Sequence, residues 1–317
     1  MRAFFQSVLG LAFGGFFLWL ALRMVGSDEL LQAVSVVQLH WIGVALCIFA
    51  VDMALRVKRW QFLLSDTVKL SNGQVAKALI IGYMVNNLLP ARLGEIYRAD
   101  FVKRHYGGSR SSVLGTIVVE RLLDGFAVVL SLSLGLLVLY VSRGIDSPVL
   151  TTLAIVAALG CTAAFGAVFW FHKLNWLFRQ IPWSWLTSRL EDFSLALQAL
   201  KMPGFHYPII LTGLIYMLEA LVLWAALTAA GIDVGLAGVL IVLGTAVLST
   251  LLPTAPGYVG SLQIAYIFAL APFGYEAPQA FIAATISQVF LAGSLIVTGL
   301  LIMFYMNVKR LAVRHVS

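Results

Sequence analysis

The sequence predicts an all-α integral membrane protein of about six full transmembrane helices and two re-entrant or broken helix pairs, with an inverted-repeat architecture. Three observations predict it. Of 317 residues, 61% are hydrophobic and 11% charged, with a mean hydropathy of +0.95. Soluble domains carry about 25% charged residues, so the solvent here is a bilayer. Apolar runs of the roughly 20 residues that a spanning helix needs recur along the chain, and two of them are split by proline and glycine. Charge is also one-sided: all but Arg23, Arg121 and Arg143 of the 21 Lys and Arg residues fall in segments assigned to one face. The positive-inside rule makes that face cytoplasmic and places both termini there.

The first span, 3–24, is longer than a signal-peptide core and no cleavage motif follows, so it is expected to be retained. Gly10 and Gly14 within it form a small-residue packing motif. Further complete spans are expected at 40–62, 112–141, 150–171, 207–230 and 278–306. The stretch 75–100 is divided by Pro90 to Gly94, and the stretch 236–272 by Pro253 to Gly260. Both are expected to be re-entrant hairpins or discontinuous helices, each returning to its own side. Over 183–201, Leu186, Leu190, Phe193, Leu197 and Leu200 recur at helical spacing opposite Arg189, Asp192 and Gln198. That pattern predicts an amphipathic connector on the inner leaflet, either a plain link or a gating element.

The two halves echo each other, repeat A over about 40–141 and repeat B over about 206–306. His40-Trp41 leads to Asp52 as His206-Tyr207 leads to Glu219. Leu88-Leu89-Pro90 precedes Gly94-Glu95 as Leu251-Leu252-Pro253 precedes Gly260-Ser261, and Thr116-Ile117 leads to Glu120 as Thr285-Ile286 leads to Gln288. An odd number of full spans separates the two starts, so the copies are inverted across the membrane. Broken helices of inverted repeats that meet near the midplane are a recurring plan for secondary transporters.

A break in hydrocarbon leaves backbone groups unpaired unless it is buried in protein or lines a wet cavity. Ionisable residues there mark a functional site. The candidate translocation residues follow: Asn87, Arg92, Glu95 and Arg98 from the first break, and Glu120, Arg121 and Asp124 from the span after it. The second half supplies Glu219 and the neutral set Pro256, Gly257, Gly260 and Gln288. Guanidiniums match phosphate geometry, so Arg92 and Arg98 suit a phosphate-bearing lipid head, with positive-inside anchoring as the alternative for Arg98. Glu95 is expected to pair with one of them. Glu120 and Asp124 share a helix face, where structural ion pairing with Arg92 or Arg98 competes with substrate binding or proton relay. Asp52 has Arg56 four residues on and is expected to pair locally. Glu219 has no basic residue near it in sequence, so it is either neutral through burial or faces the central cavity.

Four motifs in order then become familiar: Arg56-Val57-Lys58-Arg59-Trp60, Asn87 to Arg98, Val119-Glu120-Arg121-Leu122-Leu123-Asp124 and Pro256-Gly257-Tyr258-Val259-Gly260. Together they resemble the lysylphosphatidylglycerol synthase transmembrane-region family, the flippase-like module of bacterial multiple peptide resistance factors and their stand-alone relatives. The resemblance implies a multi-pass protein of the bacterial inner membrane that moves a phospholipid, glycolipid or polyprenyl-linked lipid between leaflets. It also implies a stand-alone member: the chain is expected to lack the soluble domain that makes the aminoacyl lipid.

Other classes are disfavoured. The net charge of +7 lies between apolar runs and not on a soluble stripe, so no nucleic acid partner is expected. Cys47 and Cys161 sit inside apolar runs and the five histidines at interfaces or ends, so neither a disulfide nor a metal is expected. There is no Gly-rich phosphate loop, hence no expected cofactor, and movement is downhill or ion-coupled. The alternatives are an intramembrane lipid-modifying transferase and a non-transporting partner of a lipid-synthesis enzyme.

Overall fold

The computed structural model describes residues 37–89, 92–173, 184–197, 200, 202–252 and 256–314. The expected first span with Gly10 and Gly14, the prolines Pro90 and Pro253, and Gln198 lie outside these residues, as do the side chains of Leu186 and Arg189. Every regular element among the described residues is helical: α1 Leu39–Leu64, α2 Asn72–Leu88, α3 Leu93–Tyr106, α4 Arg110–Arg143 and α5 Pro148–Lys173. Then come α6 Ser184–Leu197, α7 His206–Ala229, α8 Gly235–Ser249, α9 Ser261–Leu270 and α10 Ala277–Arg314. Five of these, α1, α4, α5, α7 and α10, are long and apolar enough to cross a membrane. They coincide with the five expected spans that the structure describes.

Each broken stretch is a hairpin. Ser71 opens α2 with a capping box: its side chain accepts from the Gln74 amide while the Gln74 side chain accepts from the Ser71 amide. Leu89 ends α2 in an extended conformation, as the residue before a proline must. The chain then turns through Arg92, which holds a left-handed conformation at φ 51°, and α3 runs back along α2. Gly82 lies opposite Arg98 and Asn86 opposite Gly94, so the two arms are antiparallel. α3 is stabilised at its ends by Glu95 in the first turn and by Lys103, Arg104 and His105 in the last, each charge opposing the helix dipole. The second hairpin passes from α8 through a short 3-10 turn, Pro256–Tyr258, into α9. Its turn uses positive φ at Gly257, Tyr258 and Gly260.

The helices then pack reciprocally. α1 and α7 run antiparallel along their length: the Gln38 amide donates to the Ala229 carbonyl at 2.8 Å, Trp41 meets Trp224 edge-on at 5.0 Å, and Phe62 meets Tyr207 at 5.6 Å. α4 packs on α8, where a side chain at Gly135 would collide with Ile241 and Ala237. α10 packs on α2, where a side chain at Gly299 would collide with Met84. Thus the last helix of each half lies on the first arm of the other half's hairpin. One apolar core gathers around α4, α7, α8 and α9, and a second around α1, α2, α3 and the start of α4. α6 joins the second core through Leu197, with Phe193 against it. Asp192 is half-buried and accepts from Ser109 at 2.5 Å.

Candidate functional site

The two hairpin tips meet. Arg92 Nε donates to the Thr250 carbonyl at 3.1 Å, and Arg92 Nη2 donates to the Thr250 hydroxyl. The Gly257 backbone comes so close to the Asn87 carbonyl that a Cβ there would sit 3.5 Å from it. Arg92 and Tyr258, one from each tip, are the non-glycine residues with positive φ among those described. Such conformations cost about 1–3 kcal/mol each and persist where the surroundings over-determine them.

Each tip is held shut by a side-chain amide. In the first, Asn86 Oδ1 accepts from the Gly94 amide at 2.7 Å. In the second, Gln263 Oε1 accepts from the Gly260 amide at 2.8 Å and its Nε2 donates to Gln288 Oε1 at 2.7 Å. Gln288 in turn donates to the Gly257 carbonyl. Gln263→Leu removes this acceptor from a buried amide, which costs about 1–3 kcal/mol. The expected result is a lowered thermal midpoint in detergent.

Behind the first tip lies a buried network of charges. On α1, Asp52, Arg56 and Arg59 recur at intervals of four and three, on one face of the helix, while Lys58 between them points away and is exposed. Arg56 Nε donates to Asp52 Oδ2 at 2.7 Å, and its Nη2 reaches across the antiparallel seam to Glu219 on α7. Arg59 bonds Asp124 at 2.7 Å and the Thr212 hydroxyl at 2.9 Å, with Glu120 at 3.4 Å. Arg98 holds the other oxygen of Glu120 at 2.6 Å and lies 4.0 Å over the ring of Trp60, whose indole N–H donates to Thr116 at 3.2 Å. Arg121 joins Glu120 at 2.8 Å, Asp124 at 3.3 Å and Glu95 at 3.5 Å. Buried charges survive only when paired and hydrogen-bonded in this way.

The network forms one wall of a cavity of about 400 Å³ enclosed by α1, α2, α4, α7 and both tips. Arg56, Arg92, Glu95, Arg121, Asp124 and Glu219 line it, together with Asn87. A second, mainly apolar chamber of about 300 Å³ continues on the far side of Asn87, Thr250, Tyr258 and Glu219, and it is bounded by Gly257 and Gln288. Arg98 and Glu120 stand behind the wall, buried to 2% and 1% exposure, and Gly260 is buried within the tip. Pro256 opens the 3-10 turn without lining either chamber.

Some pairings differ from expectation. Glu95 pairs with Arg121 rather than with Arg92 or Arg98, because antiparallel return of α3 carries Arg98 away from the tip towards Glu120. Glu219 does have a cation, Arg56, brought from the other half of the chain. Asp52 pairs locally with Arg56 as its spacing predicts. Arg56, expected only to pair locally with Asp52, and Arg59, which the sequence places only in a basic motif, are central to the network. The signal available was their spacing with Asp52, which separates them from the exposed Lys58.

The family model of the lysylphosphatidylglycerol synthase transmembrane region matches residues 7–312. A UPF0104 membrane protein of Methanocaldococcus jannaschii is 26% identical over 227 residues, which cover 70% of this chain and 93% of that relative. A UPF0104 membrane protein of Pyrococcus horikoshii is 27% identical over 141 residues, 43% of this chain and 41% of that relative. No solved structure matches the chain significantly.

Proposed function

This chain belongs to the lysylphosphatidylglycerol synthase transmembrane-region family, and from that premise we propose that it passes the polar head of a lipid between leaflets. The observation that carries the reading is the charged cavity at the meeting of the two hairpin tips. Arg92 faces it with a carbonyl and a hydroxyl as partners, and no carboxylate forms an ion pair with it among the described residues. A phosphate is the natural complement of such a guanidinium. The apolar chamber beyond the divide offers the second station. The antiparallel seam of α1 and α7, with the reciprocal packing of α4 on α8 and α10 on α2, supports an inverted repeat, repeat A about 40–141 and repeat B about 206–306. Rocking one half against the other would then expose the tips alternately to each side. The one-sided basic residues support cytoplasmic termini, and the family relation supports residence in an inner, cytoplasmic membrane. We read the chain as a transporter and not as an enzyme, since the cavity lies where the two hairpin tips meet, the arrangement expected of an alternating-access route.

The test is translocation of a fluorescent phosphatidylglycerol in proteoliposomes, followed by quenching of the outer leaflet. Arg92→Ala forfeits charge-assisted bonds worth about 1.5–3 kcal/mol. The expected result is transport slowed by about ten- to a hundredfold. Undiminished transport in this variant removes Arg92 from the route.

A further inference from the structure

The charges around the cavity cancel. Arg56, Arg59, Arg92, Arg98 and Arg121 stand against Asp52, Glu95, Glu120, Asp124 and Glu219. A phosphate that joined this set would leave an uncompensated negative charge in a medium where that is expensive. One of the carboxylates has to give up its own charge when the phosphate arrives.

The geometry picks out which one. Glu120 and Asp124 are each held by more than one guanidinium. Glu95 pairs with Arg121, which Glu120 and Asp124 also hold in place. Asp52 and Glu219 share Arg56, and each has one oxygen, Asp52 Oδ1 and Glu219 Oε2, without a hydrogen-bond partner. Asp52 is fully buried and lines neither chamber, whereas Glu219 lines both. The groups facing Glu219 are Arg56, Asp52 and Arg59 on α1 and Asp124 on α4. Across the same chamber stand Arg92, Glu95, Arg121, Tyr83 and Tyr258, with Tyr216 one turn away on Glu219's own helix, while α8 and α10 bring the uncharged Thr250 and Gln288. Arg56 is its one salt-bridge partner among the described residues.

Resting on the reading of a phosphate-bearing head in this cavity, we propose that Glu219 is a proton-exchange site coupled to substrate: the phosphate takes Arg56 from Glu219, and the released carboxylate takes a proton. The step balances. The Arg56–Glu219 ion pair is replaced by Arg56–phosphate, one proton given up by the buffered solution passes to a Glu219 oxygen, and the set stays neutral. Departure of the head reverses the exchange. Loading and unloading on opposite sides would then carry a proton with the lipid, so that a pH gradient drives its movement.

The experiment titrates purified protein in neutral detergent with dihexanoyl-phosphatidylglycerol, by calorimetry in buffers of different ionisation enthalpy. The wild type is expected to take up about one proton per lipid bound, with affinity falling about tenfold per pH unit over the range of uptake. Infrared difference spectra should show a new carboxylic-acid carbonyl band on binding. In Glu219→Gln the uptake, the pH slope and the band are lost. In Lys58→Gln, which changes an exposed charge on the same helix outside the set, they persist. Binding without proton uptake in the wild type overturns the inference while leaving the lipid reading intact, and so does uptake that survives Glu219→Gln. Failure of the lipid to bind at all removes both. Inorganic phosphate as a second titrant tells whether the anion alone or the phosphate on glycerol is recognised; because it titrates near neutrality itself, the carboxylic-acid band and not proton uptake is the readout for it. Should Glu219→Gln fail to fold, the wild-type uptake and carbonyl band decide between exchange and none.

Discussion

Arg59→Leu is expected to leave the protein unable to hold its fold in detergent. Arg59 has no exposed surface and serves Asp124, Glu120 and Thr212 at once. Removing one partner of a buried ion pair costs about 3–5 kcal/mol, and here the buried network is left one positive charge short, with Asp124 keeping only the 3.3 Å contact to Arg121. That is a large share of the roughly 5–15 kcal/mol by which folded proteins are stable. The measurement is the monodisperse fraction on size exclusion together with the thermal midpoint. A second change, Asp124→Leu, is expected to restore much of the loss. It removes the stranded carboxylate, while Glu120 keeps Arg98 and Arg121. A single variant as stable as the wild type would mean that water reaches Arg59, and the dry network would have to be abandoned.

Gly94→Ala should be nearly as damaging, for a steric reason. A Cβ at Gly94 would lie 2.0 Å from the Gly82 carbonyl oxygen and 2.6 Å from Asn86 Oδ1. The first of these is helix backbone and cannot turn aside. Overpacking costs about 1–3 kcal/mol where side chains can yield, so a clash with backbone sits at or above the top of that range. The arms of the first hairpin would separate, the bond from the Gly94 amide to Asn86 would break, and the tip would lose its seat against Thr250. The expected result is abolished translocation with fast hydrogen exchange through α3. Gly82→Ala is the milder comparison, since its Cβ meets Arg98 side-chain atoms at 3.2 and 3.3 Å and the Gly94 carbonyl at 3.3 Å. Equal damage from the two changes would show that close approach of the arms is not what the glycine provides.

The elements themselves were legible in the chain. Runs such as 207–230 are long and apolar because the bilayer demands it, and α7 at His206–Ala229 occupies that run. The break at Pro90 to Gly94 predicted the end of α2, whereas its start is a capping box at Ser71 and Gln74 that hydropathy, which begins the run at 75, does not show. The polar residues at the breaks were equally readable, since charge in a hydrocarbon setting needs a reason. Arg56 and Arg59 were harder: they close a span beside Lys58, where positive-inside anchoring predicts the same composition. Only burial tells the anchors from the network, with Lys58 exposed, Arg56 7% and Arg59 0% exposed.

Sequence by itself determined that the chain is helical, lives in a membrane and breaks its helices at two polar places. Those properties are local, set by transfer of each segment out of water and by what proline and glycine do to the backbone. Tertiary structure alone decided the partners: Glu219 with Arg56, Asp124 with Arg59, Arg92 with Thr250. A buried charge takes whichever opposite group the packing of distant helices brings within reach, and that distance is not written in the order of residues.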